Sequence, residues 1–206
     1  MKISISDLGK RYNREWIFRH LSFEMETGNH CAITGSNGSG KSTLLQIIAG
    51  SIHHNEGTIR LIEHEAVLNA EKHYQHISLA APYLELPGEM TLHEVLQFHF
   101  TMKPILKNVA VNEIISILEL ENATHKQLRY FSSGMMQRVK LAQAIFSNVP
   151  IILLDEPCTN LDTKGISLYQ SLISNYCANR LVIVCSNDPQ EYTFCTQQLP
   201  IQRYKN

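Results

Sequence analysis

Eight residues near the amino-terminal end, Gly35-Ser-Asn-Gly-Ser-Gly-Lys-Ser42, constrain the fold of this chain more than any other segment. They satisfy the pattern G-x-x-x-x-G-K-[ST], and they lie between the apolar residues 31–34 and a helix-favouring run, 43–49, that stops at Gly50. Because glycine has no Cβ, backbone N–H groups in such a loop can close around phosphate oxygens at the positive end of the next helix. The pattern therefore predicts a strand, a phosphate-binding loop and a helix, in that order.

The residue types in this loop predict a nucleotide site. Lys41 is expected to reach the β- and γ-phosphates, and the Ser42 hydroxyl is expected to ligate Mg²⁺. The residues expected to surround the nucleotide here are Gly35, Ser36, Asn37, Gly38, Ser39, Gly40, Lys41, Ser42 and Thr43. A glycine-rich turn that binds nothing is the alternative, and the strand and helix predicted on either side disfavour it.

Two adjacent carboxylates belong to the same chemistry. Asp155 and Glu156 follow the apolar residues 151–154, which read as a buried strand. We expect Asp155 to hold Mg²⁺ through water, beside Ser42. Glu156 should point the other way at the strand end and polarise the attacking water as general base. Taken alone, Asp-Glu-Pro is equally consistent with a capped turn.

The hydrophobic pattern divides the chain into three parts. Short β-rich stretches are predicted at residues 2–6, 21–25, 30–34 and 57–62. Residues 91–147 have helical spacing, and Thr91-x-x-Glu94 is a capping box, so a helical insertion is expected there. The apolar runs 150–155 and 180–186 are typical of parallel strands, with a helix at 165–176 between them, and the tail 202–206 is expected to be loosely held.

Composition removes several classes of protein. The net charge of −1 provides no basic field for nucleic acid, so no nucleic-acid partner is expected. The longest apolar run free of proline is far shorter than the roughly 20 residues that cross a bilayer. The five cysteines are odd in number and form no C-x-x-C pair, which favours reduced thiols and a cytoplasmic location.

Three further segments give the chain a specific resemblance. Phe131-Ser-Ser-Gly-Met-Met-Gln-Arg138 precedes Asp155 and resembles the signature loop, usually Leu-Ser-Gly-Gly-Gln, of ATP-binding cassette (ABC) ATPases. Thr159-Asn-Leu-Asp162 is similar to the loop that crosses the dimer interface in that family. Tyr12 matches the aromatic residue that stacks on adenine, with Trp16 as the rival. The resemblance covers essentially the whole chain.

The resemblance implies a fold and a mechanism. The fold would be α/β, a P-loop NTPase with a RecA-like mixed sheet core, an antiparallel β subdomain at its start and a helical insertion subdomain at about 83–147. Residues 1–206 would form a single ATP-binding domain with ATP and Mg²⁺ as cofactors. Ser132 and Gly134 would contact the ATP held by another subunit, in a homodimer or a pair with a similar ATPase.

The family also implies a membrane partner. Closure of the dimer on ATP would drive a separate transmembrane permease, which places the subunit on the cytoplasmic face of the membrane. The resemblance implies that the permease docks between the region of residues 82–91 and the helical insertion. The apolar side chains of Tyr83 and Leu86 in this loop fit an interface and equally a small satellite core.

Three positions depart from the family pattern. The family usually ends the strand here predicted at residues 77–81 with a glutamine that ligates Mg²⁺ and senses the permease. Pro82 stands in its place and has no side-chain amide, so Glu85 or water would substitute as the ligand. Asn187 replaces the histidine that would contact the γ-phosphate, and Met135 replaces the usual signature glutamine. An amide donates hydrogen bonds but carries no charge near neutral pH. Hydrolysis is therefore expected to be present, through Glu156, but slow.

Two other functions are alternatives to a transporter subunit. A soluble ABC-type ATPase acting on nucleic acid is disfavoured because the chain has neither a second cassette nor a basic extension. A nucleotide-binding regulatory module with vestigial hydrolysis is made credible by Pro82 and Asn187.

Overall fold

A computed structural model describes residues 1–205, which divide into two compact units. The first unit comprises residues 1–79, 149–155 and 179–205, and the second comprises residues 80–148 and 156–178. The strands are β1 Lys2–Tyr12, β2 Glu15–Glu26, β3 Cys31–Thr34, β4 Glu56–Glu63, β5 Ala66–Val67, β6 Ile77–Ala80, β7 Ile151–Asp155, β8 Leu181–Cys185 and β9 Gln197–Pro200. The α-helices are α1 Lys41–Ile48, α2 Leu92–Met102, α3 Val111–Ile117, α4 Ser133–Phe146 and α5 Thr163–Tyr176.

An antiparallel sheet with the strand order β2-β1-β4-β5 is built from the first half of the first unit. Ile3 and Ile5 of β1 alternate with polar residues, pair with Leu61 and Ile59 of β4, and are fully or almost fully buried. The strands β1 and β2 are both longer than predicted. Their pairing continues through register shifts between Ile5 and Leu8, where polar residues break the alternation on which the prediction depended.

The second sheet of this unit has the strand order β6-β7-β8-β3-β9. Its strands β3, β7, β8 and β9 pair in parallel, and every residue of β7 and β8 is buried. This explains why both strands are uninterrupted apolar runs. Cys185 pairs with Ile33 on one side and with Asp155 on the other. The carboxyl ends of these three strands therefore lie in one row, which is where open α/β sheets bind ligands.

The second unit contains α2, α3, α4 and α5, and three of these helices begin at side-chain caps. Thr91 and Glu94 form the predicted capping box at α2. Ser132 caps α4 and Asp162 caps α5, each by accepting a hydrogen bond from a backbone N–H three residues later. No helix among residues 1–205 is both long and apolar enough to span a bilayer. The combination of a parallel sheet with helices confirms the predicted α/β fold.

The end of the described chain differs from the expectation of a loose tail. Residues 201–204 form a short 3₁₀ helix, and Ile201 is fully buried in the core of the first unit. Gln202 and Lys205 both contact the phosphate loop. The polar residues at this end of the chain favoured a solvated tail in the sequence-based prediction. A contact with a segment more than 160 residues away leaves no pattern in the local sequence from which it could be predicted. Asn206, part of the same expectation, lies outside the described residues.

Candidate active site

The phosphate loop follows β3 and has a conformation that only glycine fits at two positions. Gly40 has φ +100°, and a Cβ there would lie 2.5 Å from Ile17 Cγ2. A Cβ on Gly35 would lie 2.6 Å from Ser39 Oγ. Ser39 N–H donates to the Ser36 carbonyl at 3.1 Å and closes the turn. The two motif glycines are thus required by the backbone shape itself.

Lys41 begins α1 and its ammonium turns back into the loop. It is only 6% exposed, and it donates to the carbonyl oxygens of Gly35 at 2.7 Å and Ser36 at 3.2 Å. A third hydrogen bond goes to Asn187 Oδ1 at 3.0 Å. A buried ammonium needs all its donors satisfied, and these three acceptors do so. The positive charge is therefore held inside the loop that would receive phosphates.

Asn187 follows β8 and joins Lys41 to the loop. Its position is fixed by the backbone, since Ser186 N–H donates to the Ile33 carbonyl at 3.3 Å. The Asn187 oxygen accepts from Lys41, and its amide nitrogen donates to Asn37 Oδ1. The sequence predicted a contact with the γ-phosphate here but did not identify the link to Asn37. A hydrogen bond between residues 150 positions apart leaves no pattern in the local sequence that could predict it.

The oxygen donors expected for Mg²⁺ lie in the first unit. Asp155 ends β7 at 2% exposure, and Ser42 lies in the first turn of α1. Cys185, the strand partner of Asp155, donates its thiol to the Lys41 carbonyl at 3.4 Å, so β8 connects the end of β7 to the start of α1. A carboxylate and a hydroxyl are the hard oxygen ligands that Mg²⁺ prefers, so these residues fit the metal.

Glu156 has a strained backbone. Its φ is +43°, a left-handed conformation that is uncommon for a residue with a side chain. The Thr159 hydroxyl donates to Glu156 Oε2 at 3.4 Å, and Thr159 N–H donates to the Glu156 carbonyl at 3.1 Å. Such strain costs on the order of 1–3 kcal/mol and concentrates at functional sites. The sequence predicted the role of Glu156 but contains no sign of this conformation.

In the second unit, the signature loop packs against the 159–162 segment. Gly134 is required there, because a Cβ at this position would lie 2.9 Å from the Asn160 carbonyl oxygen. An open cleft of about 490 Å³ adjoins the two segments and is lined by Ser132, Gly134, Met135, Asn160 and Asp162, among others. The structure thus brings the predicted Ser132 and Gly134 together at one cleft.

Two side chains of α4 hold this arrangement, and no role is predicted for either of them from the sequence. Arg138 donates to the Leu118 carbonyl at 3.1 Å and lies 3.7 Å from a carboxylate oxygen of Glu119 and of Asp162. Gln137, almost fully buried, donates to the Pro157 carbonyl at 2.8 Å. Both residues end the 131–138 segment that resembles the signature loop, and this position was the available sequence signal. The burial of Gln137 then requires a hydrogen-bond partner.

The two aromatic candidates for adenine stacking differ in accessibility. Tyr12 ends β1, is 49% exposed, and has the Lys10 ammonium 4.7 Å from its ring centroid. Trp16 has two guanidinium groups against its ring, Arg19 at 4.5 Å and Arg11 at 5.4 Å. The Trp16 ring also packs against Gly9, because a Cβ added to Gly9 would lie 3.0 Å from Trp16 Cζ3. Tyr12 is therefore the more available ring for a nucleobase.

Pro82 lies two residues beyond the end of β6, and α4 supplies its partner. Lys140 donates to the carbonyl oxygens of Pro82 at 2.8 Å and Ala81 at 3.3 Å. The pKa of Lys140 is lowered by partial burial, and the nearby Glu85 carboxylate offsets only part of this shift. The backbone of the loop that lacks the family glutamine is thus held to α4 by the Lys140 side chain. Tyr83, beside it, is 45% exposed.

Comparison with known proteins identifies the family. The family model described as ABC transporter matches residues 18–159, which include the phosphate loop, the signature loop, Asp155 and Glu156. The chain belongs to the ABC transporter family. It is similar to the cytochrome c biogenesis ATP-binding export protein CcmA of Agrobacterium fabrum, at 28% identity over 92% of this chain and 90% of that protein. It is also 29% identical to the bacitracin transport ATP-binding protein BcrA of Bacillus licheniformis, over 88% of this chain and 60% of that protein.

A solved structure shows the same fold. The dimeric ATP-binding cassette MJ0796, bound to ADP and Pi, superimposes with a TM-score of 0.82 at 23% identity, over 97% of this chain and 95% of that chain. This ABC subunit therefore has the P-loop ATPase fold that the sequence predicted. The family membership and the names of its relatives confirm an ATP-binding subunit of the transporter type.

Proposed function

We propose that this ABC subunit hydrolyses ATP slowly and closes as a dimer on ATP to drive a separate transmembrane permease from the cytoplasmic face of the membrane. Residues 1–206 would act as a single ATP-binding domain with a helical subdomain at about 83–147. The observation that carries the proposal is the Lys41 ammonium, held inside the phosphate loop at the carboxyl end of a parallel sheet.

Binding is proposed to begin at the phosphate loop, residues 35–43. The backbone N–H groups at the start of α1 and the Lys41 ammonium neutralise the phosphates. Ser42 and Asp155 would hold Mg²⁺, which, when bound, neutralises charge that develops on the phosphate oxygens. Tyr12 would stack on adenine through the exposed part of its ring.

Hydrolysis is proposed to use Glu156 as general base. The Glu156 carboxylate takes a proton from the attacking water, whose oxygen bonds to the γ-phosphorus as the bond to the bridging β–γ oxygen breaks. Asn187 would reach the γ-phosphate only by exchanging the Lys41 and Asn37 bonds it now makes. That exchange, and the absence of an imidazole, are the reasons we expect slow turnover.

The second half of the site is proposed to come from another subunit. Ser132 and Gly134 would face the nucleotide of a second copy or of a similar ATPase. The open cleft beside them and the cap that Ser132 places on α4 support this, because a helix start attracts anions. In a dimer, each ATP would then be bound between the phosphate loop of one subunit and the signature loop of the other.

The purified full chain tests the proposal. We expect MgATP to be hydrolysed more slowly than by typical ABC ATPases, and ATP to shift the chain from monomer to dimer in size-exclusion chromatography with light scattering. ATP binding without Mg²⁺-dependent turnover would instead support a regulatory module with vestigial hydrolysis. Turnover stimulated by DNA or RNA would support an ATPase that acts on nucleic acid.

Removing the Tyr12 ring should weaken nucleotide binding. We expect Tyr12→Ala to raise the Kd for MgATP about fivefold or more, because stacking on a base is lost. Tyr12→Phe keeps the ring and should bind as the wild type does. Trp16→Ala is the matched test of the rival residue, and isothermal titration of all three variants decides between them. A larger loss with Trp16→Ala than with Tyr12→Ala would assign the stacking to Trp16.

Restoring the family histidine should raise turnover. We expect Asn187→His to increase kcat about tenfold, since an imidazole can donate a charged hydrogen bond to the γ-phosphate where the amide cannot. Asn187→Ala removes the Lys41 and Asn37 bonds without adding an imidazole and serves as the control. Steady-state phosphate release measures both variants. An equal rate in both would mean that residue 187 does not limit hydrolysis.

A further inference from the structure

The segment formed by residues 201–205 lies against the phosphate loop of the same unit. Ile201 anchors the segment, because its side chain is fully buried. A Cβ added to Gly35 would lie 3.0 Å from Ile201 Cγ2, and a Cβ added to Gly40 would lie 3.7 Å from Ile201 Cδ1. The two motif glycines thus leave room for Ile201. Its packing fixes where the following residues leave the core.

Beyond Ile201, two polar side chains contact the exposed middle of the loop. Gln202 Nε2 donates to Ser36 Oγ at 2.9 Å, and Lys205 Nζ donates to the Gly38 carbonyl at 3.4 Å. Ser36 and Gly38 are both exposed, unlike Ser39, which is 1% exposed. The 201–205 segment therefore reaches the loop at residues that a ligand can also reach.

The weak bond of Lys205 matters for a charged ligand. At 3.4 Å to a neutral carbonyl, the ammonium is near the limit of a hydrogen bond and gives up little by leaving it. Phosphate oxygens are charged acceptors that form shorter and stronger bonds with ammonium groups. The flexible four-carbon stem of lysine lets the charge move to them without a change in the backbone.

We propose that Gln202 and Lys205 of the 201–205 segment belong to the nucleotide site: Gln202 positions Ser36, and Lys205 supplies a second cation to the phosphates beside Lys41. This inference rests on the proposed function, since it needs the loop to bind a nucleoside di- or triphosphate. Lys205 acts on the ligand directly, and Gln202 acts through Ser36.

Substitution of Lys205 tests the cation. Lys205→Gln should raise the Kd for MgATP about three- to tenfold at low salt, as expected for one exposed charge-assisted contact. The difference should shrink at roughly 0.5 M salt, where exposed charges are screened. Lys205→Arg should retain affinity. Arg203→Gln, which removes an equal charge from an exposed neighbour in the same segment, is the matched control and should bind as the wild type does.

A double-mutant cycle tests Gln202. Gln202→Met keeps the length of the side chain but loses the donor to Ser36, so affinity should fall about two- to threefold by the same amount at low and high salt. Ser36→Ala should produce a similar loss, and combining the two substitutions should add nothing further. A structural effect of Gln202 that does not involve Ser36 would be additive with Ser36→Ala and would overturn its role.

The outcomes separate this inference from the function on which it rests. If the wild-type chain binds MgATP and Lys205→Gln binds it equally well, or Arg203→Gln loses as much, Lys205 is not part of the site although the function stands. If the wild-type chain itself does not bind MgATP, the proposed function fails. Thermal unfolding of each variant without nucleotide confirms that the comparison is made between folded proteins.

Discussion

Glu156→Gln should abolish ATP hydrolysis while leaving ATP binding intact. A positioned general base contributes about 10²- to 10⁴-fold to a rate, and the amide of glutamine cannot accept the proton from water. The substitution preserves size, and the side-chain carbonyl of the introduced glutamine could still accept the hydrogen bond now made by Thr159. The proposed ATP-bound dimer would therefore form and persist, because the step that opens it is blocked.

A matched control separates chemistry from backbone strain. Glu65, in the turn between β4 and β5, also has a left-handed backbone, with φ +67° against +43° for Glu156. Glu65→Gln therefore makes the same change at a comparable backbone conformation and should leave turnover unchanged. Phosphate release in single-turnover conditions, together with light scattering of the MgATP-loaded protein, measures both effects. Residual hydrolysis within tenfold of the wild-type rate would exclude Glu156 as the base.

The parts of this site that the sequence predicted are those made by neighbouring residues. The loop of residues 35–42 and the strand ending at Asp155 each combine a motif with a hydrophobic pattern in a single stretch, and both lie where predicted. The parallel pairing of β3, β8 and β7 then follows from their apolar runs, and it aligns Ile33, Cys185 and Asp155. Local chemistry was sufficient for the elements that carry the site.

The parts that the sequence did not predict depend on contacts between distant residues. The Asn187 amide binds both Lys41 and Asn37, and Gln202 binds Ser36 across 166 positions. Side-chain orientation of this kind is set by the sheet order, which one sequence does not specify. The left-handed backbone of Glu156 also cannot be predicted from the sequence, because glutamate does not favour this conformation and only the packed turn imposes it.

Lys41→Met should remove most of the affinity for MgATP and lower hydrolysis about 10²-fold or more. The ammonium is the charge held inside the loop, and it makes hydrogen bonds to Gly35, Ser36 and Asn187. Its loss removes the attraction for phosphate and also leaves three acceptors without that donor, at a cost of about 1–3 kcal/mol for each one that water does not reach. The variant should be less stable as well as inactive.

Lys140→Met distinguishes the loss of binding from the loss of stability. Lys140 is also a lysine that donates to two backbone carbonyl oxygens, those of Pro82 and Ala81, and it has no assigned contact with nucleotide. This control should lose stability but keep its affinity for MgATP. Thermal unfolding shows the difference directly: ligand at about 100 times its Kd stabilises a protein by about 2.7 kcal/mol, so MgATP should raise the Tm of the wild type and of Lys140→Met. Lys41→Met should show no such rise, and a normal rise in that variant would mean that the phosphates are bound without this lysine.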